Sequence, residues 1–366
     1  MLMDMKDKDM TGDCLGGAGF VSRRGFLSGA SSAGLMLAGC GTIAGSGQPH
    51  CGAVLHVRDL SGSFDWPRLA HESGLDVLAT HFSPDDVVPF LKGSAGRRFA
   101  DACAHYGIGV EHEMHAIEQL LPRELFDSQP ELFRLDGEGR RQRSSNGCFT
   151  NPRTLEIVSE NAVRIARACP STTGRYFFWL SDFGPTCQCE NCRELAPCEQ
   201  AVLVENAMLR ALRCEIGPTV TLSHLAYERL DGVPVRVKPE PGLFLEYAPI
   251  RRWRRDPDIY RREDLKEGGD HLEKLDALLR VFPTSTAQVL DYWLDESLAC
   301  NYARPLVRLD WDPVRTHADV AAYVRRGVRN ITSFAVTLAD DYVKAFGNDS
   351  ISIVNDYARI VRMAQG

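Results

Sequence analysis

Eight short apolar runs recur along the chain with helical patterns between them, and this alternation constrains the fold more than any other feature. The runs are Ala53–Val57, Leu75–Thr80, Ile108–His115, Tyr176–Leu180, Thr219–Leu225, Leu243–Tyr247, Ala287–Trp293 and Asn330–Val336. Amphipathic patterns fall at Arg97–Tyr106, Arg153–Ala168, Ala201–Arg213, His271–Val281, His317–Arg326 and Ile351–Met363. Strands alternating with helices imply parallel βα units. Eight such units close an α/β fold, the (β/α)8 TIM barrel, as a single domain over residues 51–366. The alternative is an open doubly wound sheet. Against it, no Gly-rich dinucleotide or phosphate loop follows the first run.

With 44% hydrophobic and 25% charged residues, the composition is that of an ordinary globular protein. A net charge of -7 and the lack of a basic domain argue against a nucleic-acid partner.

The N-terminus reads as an address. Ser22-Arg23-Arg24-Gly25-Phe26-Leu27 resembles a twin-arginine export motif, and the Gly/Ser-rich run behind it is too short and polar for a stable membrane span. Leu37-Ala38-Gly39-Cys40 resembles a lipobox, in which Cys40 is acylated. Residues 1–39 are therefore expected to be a signal peptide and residues 40–50 a flexible tether. The implied partners are the twin-arginine translocation machinery and the membrane, with the domain held outside the cytoplasm by its lipid.

In a β/α barrel, catalytic groups sit at the C-terminal ends of strands. The fourth run ends at Leu180, before Ser181-Asp182 and the Gly184-Pro185 turn signal. Carboxylates at strand ends are Glu113, Asp182, Glu246 and Asp291, with Asp295 close behind. Glycoside hydrolysis needs two carboxyl groups, one protonated and one ionised. The apolar fourth run favours Asp182 as general acid, with Glu246 or Asp291 as nucleophile or base. Glu113, His115, His224 and Tyr227 could bind sugar hydroxyls, and Trp253 and Trp293 could stack on sugar faces. For each of these residues the competing reading is ordinary structural packing.

Cysteines cluster behind Asp182: Cys187, Cys189, Cys192 and Cys198. Thiolates from CxCxxC plus Cys148 or Cys198 suit a tetrahedral zinc, which would brace the loop and leave no open position for catalysis. Disulfides compete, because the destination is oxidising. Two basic clusters, Arg134, Arg140, Arg141 and Arg143, then Arg251, Arg252, Arg254 and Arg255, could fork onto an anionic sugar such as a uronic acid. Alternatively they are solvated loops paired with nearby acids.

The longest connection, Ala116 to Pro152, carries Pro130-Glu131-Leu132-Phe133, Asp136-Gly137 with a basic run, and Cys148-Phe149-Thr150-Asn151-Pro152. Together with Asp182 to Cys192, these residues resemble the bacterial domain of unknown function 4838 family, whose members look like glycoside hydrolases distantly akin to α-glucuronidases. Trp179 to Gly184 followed by CxCxxC also resembles a β-galactosidase family, in which Asn-Glu closes the fourth strand before a zinc cluster. Here Ser181-Asp182 stands in that place. The resemblances imply a hydrolase of O-glycosyl bonds. The alternatives are a barrel that binds carbohydrate without cleaving it, and a metal-dependent hydrolase.

The address reading is tested by export. Replacing Arg23 and Arg24 by Lys should leave the precursor in the cytoplasm, and normal export of that variant would contradict it. Cys40→Ala should abolish acylation.

Overall fold

The computed structural model describes residues 49–181, 184–253, 269–300 and 305–366. Arg23, Arg24, Cys40, Asp182, Arg254 and Arg255 lie outside the described residues.

Eight parallel strands, β1 (Cys51–His56), β2 (Val77–His81), β3 (Gly109–His115), β4 (Arg175–Trp179), β5 (Thr221–Ala226), β6 (Leu243–Tyr247), β7 (Gln288–Asp291) and β8 (Asn330–Phe334), follow one another around a closed barrel. Closure is made where Val54 pairs with Phe334 and Cys51 with Ile331. Each strand falls within, or a residue or two from, its apolar run. This is a single-domain (β/α)8 TIM barrel. No helix of the described residues is long and apolar enough to cross a membrane.

The helices begin slightly before their apolar periodicity does, because proline supplies the first turn. Pro84, Pro152, Pro197 and Pro313 each open a helix. Proline fits there because its missing N–H would be unpaired anyway. The last helix, Asp349–Gln365, clasps the barrel's N-terminal end. Gln365 donates to the carbonyls of His50 and Arg329, and the Tyr357 hydroxyl donates to that of Gly52.

Strand side chains alternate between the barrel interior and the helix layer. Val54, Ala79, Phe177, Leu225, Phe244, Leu290 and Phe334 pack together inside. Leu55, Leu78, Phe178, Leu222, Leu245, Val289 and Ile331 belong to the larger core beneath the helices.

This period corrects three sequence-based assignments. With Leu290 and Tyr292 inside, Asp291 faces outward. Its Oδ1 accepts from the Trp253 indole at 2.6 Å, and its Oδ2 from the Tyr323 hydroxyl at 2.9 Å and Arg252 at 3.3 Å. Arg252 also pairs with Asp319. Trp293 follows Asp291 outward, with its indole donating to Asp319 at 3.1 Å. His224, between inward Ser223 and Leu225, instead meets Glu205 of the Pro197–Glu215 helix at 2.7 Å and stacks on Phe282 at 5.2 Å. Asp291, Trp293 and His224 hold the barrel to its helices and do not reach the mouth.

Asp291 is fully buried, so truncating it leaves the Trp253 and Tyr323 donors unpaired and removes one of Arg252's two carboxylates. Asp291→Ala should cost about 3 kcal/mol by urea denaturation, near the lower bound for breaking a buried pair because Asp319 remains. Unchanged stability would contradict this placement.

Candidate functional site at the barrel mouth

A polar column runs up the interior. Near its base Thr173 donates to Glu111 at 2.7 Å, and Arg175 lies 3.6 Å from the same oxygen. Arg175 reaches Gln288 at 2.6 Å, and Gln288 in turn donates to Glu113 at 3.3 Å. Above them the Trp179 indole donates to Glu246 at 2.8 Å. Glu113 and Glu246 are fully buried, and each keeps one oxygen without a hydrogen-bond partner among the described residues. Burial, then the charges of Glu246 and Glu111, push the Glu113 carboxyl well above its usual range. Burial likewise raises Glu246 to about 7. The two glutamates therefore sit below the mouth, roofed by Trp179.

The mouth is a belt of rings. His81 lies 5.2 Å from His56, 5.2 Å from His115, 5.4 Å from Trp179 and 5.1 Å from Phe334. Tyr292 stacks on Phe334 at 5.4 Å. Burial lowers all three histidines, His115 to about 4, so the imidazoles are neutral. Of these, His115 is a candidate from the sequence, and the structure adds His56 and His81. His56 and His81 are the last residues of β1 and β2. Tyr227 is half-buried against the inner cluster. Trp253 is committed to the protein, with its indole on Asp291 and the Arg315 guanidinium 3.9 Å from its ring.

Asp295 lies between β7 and the short helix Glu296–Cys300. Its Oδ1 accepts from the Ser297 backbone at 3.0 Å and from the Ser297 hydroxyl at 2.5 Å. Among the described residues Oδ2 receives no hydrogen bond. Burial raises this carboxyl to about 7 against the lowering by Ser297, with Glu296 and Asp59 adding to the rise. Glu296 accepts from Thr337 and Val307, and Asp59 accepts from Thr337. The loops after β1, β7 and β8 thus converge around Asp295.

The four thiols of Cys148, Cys187, Cys189 and Cys192 gather, their sulfurs within 4.8 Å of one another. Cys148 lies 3.6 Å from Cys189 and 3.9 Å from Cys192. A tetrahedral zinc with bonds of about 2.3 Å spaces its sulfurs about 3.8 Å apart, so the set fits the metal. Neighbouring Cys187 and Cys192 hold Cys148 well below a thiol's usual range, while Cys148 raises both of them. Cys198 stands apart, pushed up to about 11 by burial. No disulfide occurs among the described residues.

This cluster ties the long loop to the segment after β4. Leu135 donates to the Cys187 sulfur at 3.2 Å, and the Gln200 amide grips the carbonyls of Cys187 and Cys192. Asn146 of the long loop accepts from the Ser181 amide at 3.1 Å and donates to the Gly184 carbonyl at 3.4 Å.

The described arginines of the basic clusters are occupied. Arg140 pairs with Asp136 and Glu138, Arg143 with Asp127, and Arg251 with Glu228. Arg134 and Arg141 donate to the carbonyls of Ser144 and Phe133.

Residues 91–285 match the family described as Domain of unknown function (DUF4838), and the chain belongs to that family. Two β-galactosidase structures share the fold. The enzyme from the psychrophilic Marinomonas ef1 is 11% identical with a TM-score of 0.51, over 85% of this chain and 59% of that one. The polyextremophilic enzyme from the Antarctic haloarchaeon Halorubrum lacusprofundi is 11% identical with a TM-score of 0.52, over 85% and 57%. The chain thus spans under two thirds of either, and at this identity the likeness is one of fold. Comparison with curated proteins gives no match.

Metal analysis of protein purified from the cytoplasm should find about one zinc per chain, and Cys189→Ser should lose it. Metal-free protein with these cysteines in disulfides would contradict the fit.

Proposed function

We propose that the protein is a glycoside hydrolase, carried across the membrane by the twin-arginine route and held outside the cytoplasm by a lipid on Cys40. The observation that carries the catalytic reading is Asp295. One oxygen is fixed by Ser297, the other takes no bond from the described residues, and burial raises the carboxyl to about 7. A carboxyl so placed holds a proton near neutral pH and suits the general-acid role. Asp182, which follows β4, is the candidate for the second, ionised carboxyl. This shifts the acid role from Asp182 to Asp295, because Asp295 has a visible cause for keeping its proton.

Glu246 and Glu113 lie beneath and help set the field at the mouth. The four thiolates would bind a structural zinc with no open position, so this cluster does not favour a catalytic metal. A uronic-acid substrate receives no support from the described arginines of the two clusters, since the protein's own groups hold them. The binding-only reading differs in one respect, the absence of turnover.

Asp295→Asn should lower turnover of an aryl glycoside by about 100- to 10,000-fold without loss of fold. The Asp295 proton is present below its pKa, so wild-type activity should fall as pH rises through about 7. Asp295 faces Asp59 and Glu296, whose negative charges act in the same direction as burial. Full activity of the variant, or no limb near neutral pH, would overturn the assignment.

A further inference from the structure

Phe82 is the residue of the mouth that neither packing nor the hydrolytic reading explains. It follows β2 directly and is 48% exposed, in a ring belt whose other members are buried or half-buried. Its centroid lies 5.7 Å from His56, 5.2 Å from His81 and 5.2 Å from His115. Its carbonyl accepts from the His115 amide at 2.9 Å, which fixes its backbone to β3. The ring is therefore held on one side by imidazoles and open on the other.

The imidazoles supply the complementary chemistry. His81 Nδ1 meets the Glu113 carbonyl at 2.7 Å. A carbonyl only accepts, so Nδ1 carries the proton and Nε2 is left as an acceptor. His56, lowered by burial, is neutral and offers one donor and one acceptor, while the His115 ring packs against Phe82. Hydroxyl groups also both donate and accept, and the C–H face of a pyranose ring is apolar enough to lie on an aromatic face. The combination matches a hydroxylated ring with one apolar face better than it matches a flat, wholly apolar ligand.

We propose that Phe82, with His56 and His81 and backed by the His115 ring, forms a pyranose-binding subsite at the mouth above β1–β3, in which Phe82 stacks on the sugar ring and the His56 and His81 imidazoles bond its hydroxyls. This rests on the carbohydrate reading above but not on catalysis. The subsite is built on the ends of β1–β3, whereas Asp295 follows β7.

The test is equilibrium binding of methyl β-D-galactopyranoside, methyl β-D-glucopyranoside and methyl β-D-glucuronide to the full barrel, followed by calorimetry. Saturable binding of at least one is expected. Phe82→Ala should weaken it about tenfold with an unchanged unfolding midpoint, because the side chain is half exposed. Phe82→Trp, which keeps an aromatic face, should restore it. Absence of saturable binding by all three, or equal binding by Phe82→Ala, overturns the proposal. The same titration on the Asp295→Asn variant separates the two readings. Phe82-dependent binding there, alongside unchanged hydrolysis, would sink the acid assignment and leave the subsite standing.

Discussion

The alternation of side chains along each strand of a closed barrel decides what every other feature can do. Closure leaves two environments, an interior open at one end and a layer sealed by helices, and each strand residue belongs to one of them. Glu111, Glu113, Glu246 and Gln288 fall inside and form the column around Arg175. Asp291, one residue out of phase, becomes a clamp for Arg252, Tyr323 and Trp253. The same carboxylate chemistry yields a buried structural anchor on one face and part of the site's foundation on the other.

Above this frame the site depends on segments that are not strands. The long loop and the segment after β4 would wander without the sulfur cluster, the Gln200 amide and Asn146 between them. Asn146 binds at both Ser181 and Gly184, the residues flanking Asp182 and Phe183. The thiols sit at one end of these connections, and Ser181 and Gly184, held by Asn146, at the other. A bound metal would therefore act on function through loop position.

The fold could be read from the sequence because eight apolar runs separated by helical patterns admit few topologies. The inward or outward sense of individual residues could not. Strands of a parallel barrel are buried on both faces, so runs such as Val289-Leu290-Asp291-Tyr292-Trp293 carry no polar alternation to set the phase. Strand-end position alone therefore does not separate the outward Asp291, Trp293 and His224 from the inward Glu113, His115 and Glu246. His56, His81 and Phe82 are legible as polar or aromatic residues at or just beyond the ends of the first two runs. The raised carboxyl of Asp295 could not, because its cause is burial by loops from three distant parts of the chain.

The central claim is that this mouth cleaves glycosidic bonds and does not merely hold sugars. It is tested most directly by initial rates of the purified barrel with a panel of aryl glycosides and uronides at neutral and mildly acidic pH. The account predicts saturable release of the aryl group from at least one member, faster on the acidic side. Saturable sugar binding with no release from any member would contradict it and make the protein a binding barrel.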